Sequence, residues 1–408
     1  MLLLIKLAIR NLFRNKRRTF IAGSAIGIGL AALIFTDALI IGMENNMLAS
    51  ATESFLGEGQ IHHADFRDSY AVEKTINNLP EVTSELKRDK VVADFTERTM
   101  TFAMITSPAN LSAVTMIGVD PDTEKNLSEI DDVITEGNYF EGDNKRDILI
   151  GSKLAEILEV GLGDRVVLTV AQAHSGDLSQ EMFRISGIYH FNIKEMDRAM
   201  VFVRITEAQQ MLDIGDNVHE IALRFVNSGY ARDKNHPFWK KYSTDGNEAV
   251  SWTVILPELE AAFEMSQFAT YIIGLILFGV VALGIINTLF MSLHERMFEF
   301  GVLRAVGTRP LGMARLILFE AGALAVLSIV LGTILGYIIT AIVAHIGIDY
   351  TGIEFSGVTY RDLLYPVLRW RQFIEYPIIV YIFTVVVGLY PAFYAARISP
   401  AKAMRRSF

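Results

Sequence analysis

The chain contains no cysteine, and only 20% of its 408 residues are charged. Without thiols it can form no disulfide, no thiolate zinc site, no iron–sulfur cluster and no cysteine nucleophile. It also lacks a Gly-x-x-x-x-Gly-Lys-Ser/Thr loop, which excludes nucleotide hydrolysis through a P-loop. Globular proteins carry about 25% charged residues, so charge is scarce here as well.

The charges that are present divide the chain into two parts. Residues 43–266 hold 38 acids and 20 bases, a net charge of −18, whereas the remainder holds 8 acids and 17 bases, a net charge of +9. The acidic part would repel phosphates, which disfavours nucleic-acid binding. An acidic soluble body joined to a basic, apolar frame is not the pattern of a simple cytosolic enzyme.

Four long apolar stretches lie in the basic part, and each reaches the ~20 residues that a helix needs to cross a bilayer. We expect transmembrane helices at residues 20–42, 267–293, 317–346 and 375–396. A buried core helix is the alternative for any single stretch, but four stretches with basic residues near one end favour membrane spans. The predicted fold is a multi-pass α-helical membrane protein with four transmembrane helices and a large α+β periplasmic domain between the first two.

The placement of lysine and arginine predicts the orientation of these spans. Residues 1–19 carry six bases and no acid, the tail at 397–408 carries four bases and no acid, and residues 294–316 are basic overall. We therefore expect both termini and this middle segment in the cytoplasm. Residues 43–266 and the short loop 347–374 would then lie outside it.

Three segments that flank the spans also predict helices. Lys6, Arg10 and Arg14 recur every four residues, which is typical of a helix lying in the cytoplasmic interface. A simple extension of span one is the alternative. Residues 44–55 and 257–268 predict helical stalks that continue spans one and two into the external domain.

Between the stalks, short runs of β-branched and aromatic residues separated by turn residues predict strands. The predicted strands are residues 60–66, 91–94, 99–105, 114–119, 166–170, 183–189, 199–203 and 220–225, and the predicted helices are 153–158 and 206–212. This region is long enough for one or two α+β domains.

No cluster of residues predicts a catalytic or metal site. His62 and His63 are adjacent but have no further histidine or cysteine at ligand spacing, so we interpret them as part of a solvated strand, with a metal site as the alternative. The many external carboxylates offer no pair that stands out. We expect no metal, no cofactor and no enzymatic activity on this chain.

Two acids lie inside predicted spans. Asp37 stands ~7 Å from the outer end of span one at ~1.5 Å per residue, and an acid inside a membrane is a functional hypothesis by default. Either water and lipid headgroups reach Asp37, or it belongs to a substrate cavity. Glu320, near the cytoplasmic end of span three, is interpreted as an interfacial residue.

The segment between spans two and three, His294–Pro310, predicts a short amphipathic helix. It reads His-Glu-Arg-Met-Phe-Glu-Phe-Gly-Val-Leu-Arg-Ala-Val-Gly-Thr-Arg-Pro, with charges of both signs, four apolar side chains to form a surface (Phe298, Phe300, Val302 and Leu303), and Gly307 and Pro310 to end the helix. Such a helix is suited to pressing into a groove on a partner. An ordinary solvated loop is the alternative.

This segment resembles the hallmark of the FtsX/MacB-type ABC permeases, which include the LolC and LolE lipoprotein-release permeases. Glu-Arg-x-x-Glu-Phe-Gly-Val-Leu-Arg-Ala-Val-Gly at 295–307 carries the likeness. The C-terminal Tyr-Pro-Ala at 390–392 and Ala-Ala-Arg-Ile-Ser-Pro-Ala-Lys-Ala-Met-Arg at 395–405 are similar to the family's closing pattern. Residues 8–19 resemble its N-terminal helix, and residues 116–121, 148–155 and 163–164 resemble its periplasmic domain.

The resemblance implies a permease subunit of the bacterial inner membrane that is driven by a separate cytoplasmic ABC ATPase, which would bind ATP and Mg. A coupling helix would sit on that ATPase, with the basic tail beside it. The coupling residues would be Glu295, Arg296, Glu299, Phe300, Gly301, Arg304 and Gly307, and those of the tail Arg397, Pro400 and Arg405. A second permease subunit, identical or related, would complete the transporter. The layout resembles LolC and LolE more than MacB, because only 19 residues precede the first span.

The resemblance also implies a function and a periplasmic partner. In the lipoprotein-release permeases a projecting loop captures a periplasmic carrier; here Ala171, His174, Leu178 and Met182 are the candidate contacts, with an ordinary hairpin as the alternative. The leading hypothesis is extraction of a lipoprotein or another amphiphile from the membrane. The alternatives are MacB-like efflux of a drug, peptide or toxin, and FtsX-like control of a cell-wall hydrolase. On any transporter hypothesis, Arg304→Glu or Glu299→Lys should uncouple ATP hydrolysis.

Overall fold

A computed structural model describes residues 10–11, 14, 16–142, 144–355, 358–360 and 363–397. The chain forms two compact units. The first, here called the helical unit, comprises Met1–Glu44, Glu264–Asp349 and Leu364–Phe408. The second, here called the sheet domain, comprises Asn45–Phe263 and Tyr350–Leu363.

The helices and strands of the described residues follow in chain order. The helices are α1 Lys16–Ala51, α2 Phe66–Ser69, α3 Leu79–Leu86, α4 Pro121–Glu124, α5 Ser152–Leu158, α6 Lys194–Ala199, α7 Ile205–Leu212, α8 Gly229–Arg232, α9 Pro237–Tyr242, α10 Trp252–Ile255, α11 Pro257–Glu295, α12 Met297–Ala305, α13 Pro310–Ile346 and α14 Gln372–Ala396. The strands are β1 Gly59–His63, β2 Val92–Thr106, β3 Leu111–Val119, β4 Ile134–Gly137, β5 Asp147–Gly151, β6 Arg165–Ala171, β7 Leu178–Tyr189, β8 Met200–Arg204, β9 Glu220–Phe225, β10 Asn247–Ser251, β11 Glu354–Phe355 and β12 Val358–Thr359.

Helices α1, α11, α13 and α14 are spans one to four, each long and apolar enough to cross a membrane. The prediction of a four-span membrane protein with a large domain between the first two spans is confirmed. Helix α1 continues beyond the apolar stretch to Ala51, and α11 begins at Pro257, so both stalks are extensions of the spans. A single π-helical turn, Thr52–Leu56, follows α1.

Spans one and three are in close contact through small residues. Gly23, Gly27 and Ala31 recur every four residues on span one and face Ser328, Gly332 and Gly336, which recur in the same way on span three. A Cβ added to Gly332 would lie 2.5 Å from the carbonyl oxygen of Gly27. In lipid, helices associate by such close van der Waals packing, since apolar surface gains nothing by leaving hydrocarbon.

The sheet domain is built on one continuous ten-stranded sheet. Strand β2 pairs with β3, β3 with β8, β8 with β5, β5 with β7, β7 with β6, and β6 again with β2, so six strands form a closed barrel. Inward side chains fill it, with α5 and α7 supplying Leu154, Leu158 and Leu212. Strands β9, β1 and β10 extend the sheet from the other half of β2.

The sequence located most of these strands but misread the longest one. Residues 91–94 and 99–105 belong to a single strand, β2, whose polar middle contains Arg98. Arg98 is fully buried: its guanidinium pairs with Glu124 at 2.6 Å and with Glu220 at 3.0 Å, and it lies 3.8 Å from the ring centroid of Phe55. Burial alone would lower the pKa of Arg98, but the two carboxylates raise it. The turn after α1 is thereby fixed to the sheet.

Replacing Gly332 by alanine should destabilise the helical unit. The added methyl group would overlap span one, and overpacking of this kind costs ~1–3 kcal/mol. Gly279→Ala, on span two, is the matched control, because no described atom lies within 4 Å of its added Cβ. Thermal unfolding in mild detergent should show a lower Tm for Gly332→Ala only; equal midpoints for the two variants would contradict the close contact.

Candidate functional site

Helix α12, between spans two and three, is fixed to the membrane helices by buried charge. The Arg296 guanidinium donates to Glu320 on span three at 2.6 Å and to Glu299 at 3.0 Å. Glu320 also accepts from the Asn11 side chain at 2.7 Å, and Glu299 accepts from Arg14 at 2.8 Å. The N-terminal segment, α12 and span three therefore share one hydrogen-bonded network.

Apolar packing and a glycine cap complete the anchorage of α12. Phe300 is 1% exposed and packs among residues of spans two, three and four, including Leu293, Ile317 and Ala395. Gly307 ends the segment at φ +101°, a conformation that favours glycine. The backbone N–H of Thr308 there donates to the Leu303 carbonyl, as in a Schellman motif.

The opposite face of α12 is open and apolar. Phe298, Val302 and Leu303 are exposed, and Val306 is 83% exposed. A cavity of about 820 Å³ lies between this face and the N-terminal segment, where Arg10 and Arg14 supply positive charge. This end of the helical unit thus presents apolar side chains on a rigidly held helix.

The structure separates the predicted coupling residues into two groups. Arg296, Phe300 and Gly301 are buried against the spans, so they anchor the helix and offer little surface to a partner. Glu295 and Glu299 are exposed, and Arg304 is half-buried with its guanidinium donating to the Thr308 carbonyl at 3.0 Å.

Two further expectations concern Glu320 and the tail. The interpretation of Glu320 as an interfacial residue is wrong: its side chain is 7% exposed and held by Arg296. In the predicted tail, Arg397 is exposed, whereas Pro400 and Arg405 lie outside the described residues.

A second cavity lies among spans one, two and four, at the ends of these helices that lead into the sheet domain along the chain. It measures about 300 Å³ and is almost entirely apolar. Its walls include Leu33 and Thr36 of span one, Tyr271 and Phe278 of span two, and Tyr376 and Ile379 of span four. The cavity is suited to an apolar chain.

Asp37 lies beside this cavity in a small polar cluster. Its carboxylate accepts from the side-chain amide of Gln372 at 2.7 Å, and the hydroxyl of Tyr376 lies close to it. Span one also accepts a bond at this level from the segment before span four, where the Val367 N–H donates to the Ala38 carbonyl at 2.8 Å. Asp37 is half-buried and adjoins the cavity through Tyr376.

The predicted partner loop is largely a strand. Leu178 and Met182 belong to β7, and Ala171 ends β6 directly opposite Leu178. The turn between them is tied down, because His174 bonds the Asp213 carbonyl at 2.9 Å and the Ala173 N–H donates to Leu212. The segment is therefore a hairpin, the alternative that the sequence left open, and the binding of a partner there stays a prediction.

The exposed face of this hairpin belongs to a larger apolar surface. The strand register places five exposed apolar side chains on one outer face of the barrel: Phe102, Met104, Leu111, Leu178 and Met182. Neither strand pairing nor this shared face could be read from the short hairpin sequence alone.

The histidine pair differs from its prediction. His62 is 1% exposed on β1, which lies between β9 and β10, so the interpretation as a solvated strand is wrong for this residue. Its Nε2 has no hydrogen-bond partner among the described residues, and burial lowers the pKa of His62 to about 4. The same described part of the chain holds no group of three or more metal-ligating side chains.

Four membrane spans, a large α/β domain between the first two, and a short helix fixed between spans two and three define a membrane permease of the ABC-transporter type. The family model for the MacB-like periplasmic core domain matches residues 19–234, and the model for the FtsX-like permease C-terminal region matches residues 271–400. The chain belongs to the family of FtsX-like, MacB-type ABC permeases.

Two relatives named for lipoprotein release agree with this assignment. The lipoprotein-releasing system transmembrane protein LolC of Xylella fastidiosa is 23% identical over 98% of this chain and 98% of its own length. LolE of Haemophilus influenzae is 22% identical over 93% of each chain. The periplasmic region of MacB from Actinobacillus actinomycetemcomitans is 11% identical, covering 50% of this chain and 92% of that one, with a TM-score of 0.34.

Several residues of these sites were missed by the sequence interpretation. Gln372 and Tyr376 sit at the start of span four, where a glutamine and a tyrosine in an apolar run were a usable signal. Glycines every four residues on spans one and three were a second signal. The Arg296–Glu320 pair had no local signal, since it joins side chains on different helices.

Replacing Arg296 by methionine should leave Glu320 buried without its cation. Breaking a buried ion pair in this way costs ~3–5 kcal/mol, whereas replacing both partners by apolar residues is often neutral. The expected Tm in mild detergent therefore falls for Arg296→Met and recovers in the double variant with Glu320→Leu. Arg309→Met, which removes an exposed arginine, is the control. If Arg296→Met had the same Tm as Arg309→Met, the role of the ion pair would be contradicted.

His62 should make stability depend on mildly acidic pH. The unfolded chain takes up a proton as the pH falls below 6.5, whereas folded His62 stays neutral until about pH 4. Stability is therefore lost on lowering the pH through this window, by ~2 kcal/mol between pH 8 and pH 5. Unfolding midpoints across this range should vary less for His62→Leu than for the wild type or for His345→Leu, which removes an exposed ring. Equal pH slopes in all three proteins would refute this role.

Proposed function

We propose that this chain is the permease subunit of a transporter whose separate ABC ATPase drives extraction of a lipoprotein or another amphiphile from the inner membrane. The observation that carries the proposal is the presence of two sites at opposite ends of the span helices. One end holds an anchored helix with an apolar outer face, and the other holds an apolar cavity between spans. Relatives named for lipoprotein release support the substrate class.

The ATPase would dock on the open face of α12. In the proposed orientation both termini and α12 lie in the cytoplasm, as the excess of arginine and lysine there favours. Val302, Leu303 and Val306 would enter a groove on the ATPase, while Arg296 and Phe300 transmit its movement to spans two, three and four. ATP and Mg would be held by the ATPase.

A second permease subunit, identical or related, would cover span two. In the most apolar stretch of span two only 11% is buried within the chain, whereas in that of span one 50% is buried. A long apolar helix with so few intramolecular contacts is suited to a partner helix as well as to lipid. A dimer of permeases would then close the cavity, which span two lines on one side.

A periplasmic carrier or adaptor would bind the apolar outer face of the barrel. Phe102, Leu111 and Leu178 stand exposed there. Exposed apolar surface on a soluble domain marks interaction sites. The contact would therefore be a strand face together with the hairpin at Ala171 and His174, in place of a projecting loop.

Co-purification of the full-length chain in mild detergent tests this proposal. An ABC ATPase and a lipid-anchored protein should accompany the chain, and mass spectrometry would identify both. Absence of any ATPase would contradict the central claim. A periplasmic adaptor with an outer-membrane duct, or a cell-wall hydrolase, in place of the lipoprotein would favour efflux or hydrolase control instead.

Introducing charge on the open face of α12 should release the ATPase without unfolding the permease. Val306→Asp places a carboxylate where an apolar contact is proposed, and we expect co-purified ATPase to fall at least tenfold, as for loss of a contact worth ~1.4 kcal/mol. Val226→Asp, at a similarly exposed valine of the sheet domain, is the control. The two variants should share the wild-type Tm. Undiminished ATPase with Val306→Asp would refute the docking face.

A further inference from the structure

We propose that the cavity among spans one, two and four binds the acylated end of a peptide chain whose protonated primary amine pairs with Asp37. The inference rests on the proposed function and deepens it by naming the group that the site recognises. Three observations carry it: the partners of Asp37, the position of Tyr376, and the absence of basic residues from the cavity wall.

The first observation is that Asp37 has only neutral partners among the described residues. Gln372 must present its NH₂ group to Asp37, because its amide oxygen already accepts from the Arg369 backbone N–H at 3.0 Å. Tyr376 places its hydroxyl close to the same carboxylate. An amide NH₂ and a hydroxyl are groups that suit an acceptor-only carboxylate. An acid inside a membrane span usually pairs with another ionisable or polar group, and the residues that the structure describes give Asp37 no cation.

The second observation is that Tyr376 joins the polar cluster to the apolar cavity. Its side chain lines the cavity while its hydroxyl lies close to Asp37. A ligand that fills the cavity with hydrocarbon therefore meets the carboxylate within the length of one tyrosine ring. The charge on that ligand must lie close to its apolar chains, as it does when the amine and the acyl groups share one residue.

The third observation concerns phosphate. Within the described part of the chain, no lysine or arginine lines the cavity, whose polar wall groups include the hydroxyls of Thr36 and Tyr376. A phospholipid with an ethanolamine head carries a phosphate between its chains and its amine, and that phosphate would stand beside the Asp37 carboxylate without a cation. The phosphate and the carboxylate are both negative, so they repel each other at short range. The site therefore favours an amine with no phosphate, which is the N-terminal α-amine of a diacylated peptide.

A matched pair of ligands tests the proposal on the full-length chain with its co-purified partners in mild detergent. One ligand is a dipalmitoyl lipopeptide with a free N-terminal amine, and the other is the same lipopeptide with that amine acetylated. We expect the free amine to bind roughly tenfold more tightly, the range of one charge-assisted hydrogen bond. Asp37→Asn should remove this preference, and an unchanged Tm in the same detergent would show that the variant is folded.

Two control variants separate the carboxylate from general effects. Asp37→Glu keeps the charge and should retain the preference. Glu375→Gln removes an exposed acid that pairs with Arg371 on the same turn of span four, and should also retain it. Loss of the preference with Glu375→Gln as well would overturn the assignment to Asp37.

The remaining outcomes distinguish this inference from the proposed function. If the wild type binds both lipopeptides equally, the amine is not recognised and the inference fails, while extraction of an amphiphile stands. If dipalmitoyl phosphatidylethanolamine competes as well as the free-amine lipopeptide, the occupant is a phospholipid and the inference is wrong. If neither lipopeptide binds, both the inference and the proposed substrate class fall.

Discussion

The buried ion pair between Arg296 and Glu320 fixes the end of the molecule where a driving partner would act. Both side chains are under 10% exposed, and charges withdrawn from water are tolerated only where partners and hydrogen bonds meet them. The pair therefore sets the position of α12 relative to span three. Asn11 bonds Glu320, Glu299 bonds Arg296, and Arg14 bonds Glu299 in turn, so the N-terminal segment, α12 and span three belong to one hydrogen-bonded network.

Span one links that end to the sheet domain along the chain. Close contact with span three through Gly27 and Gly332 leaves no room for side chains between the two helices, and packed interfaces of this kind shift between discrete arrangements instead of deforming gradually. Helix α1 continues without a break to Ala51, and the turn after it places Phe55 under the guanidinium of Arg98. Glu220, one of the two acids that pair with Arg98, is so deeply buried that its pKa is raised, even though the charge of Arg98 acts to lower it.

The sequence was most informative where the physical signal is local. Long apolar runs located all four spans, and the glycine at 307 located the end of α12. It was least informative where distant residues create the signal. Strand β10, Asn247–Ser251, has a polar sequence and was missed, because its place in the sheet depends on pairing with β1. The sequence predicted two strands in place of β2, because Arg98 interrupts the apolar pattern. Its burial is understandable only once Glu124 and Glu220 are seen to pair with it. The candidate coupling residues come from the resemblance and stay a prediction, whereas their division between buried anchor and open face required the packing.

The two acids within the spans show how environment assigns different roles to one chemical group. Glu320 receives its cation from Arg296 of the same chain, so its charge is neutralised inside the fold and serves to hold helices together. Among the described residues, Asp37 accepts a hydrogen bond from the Gln372 amide and lies close to the Tyr376 hydroxyl, beside an apolar cavity of about 300 Å³. A carboxylate costs free energy inside a membrane unless a partner compensates it. For Glu320 the fold itself supplies that partner. In the complex that we propose, the ammonium group of the ligand would give Asp37 the positive charge that Arg296 gives Glu320.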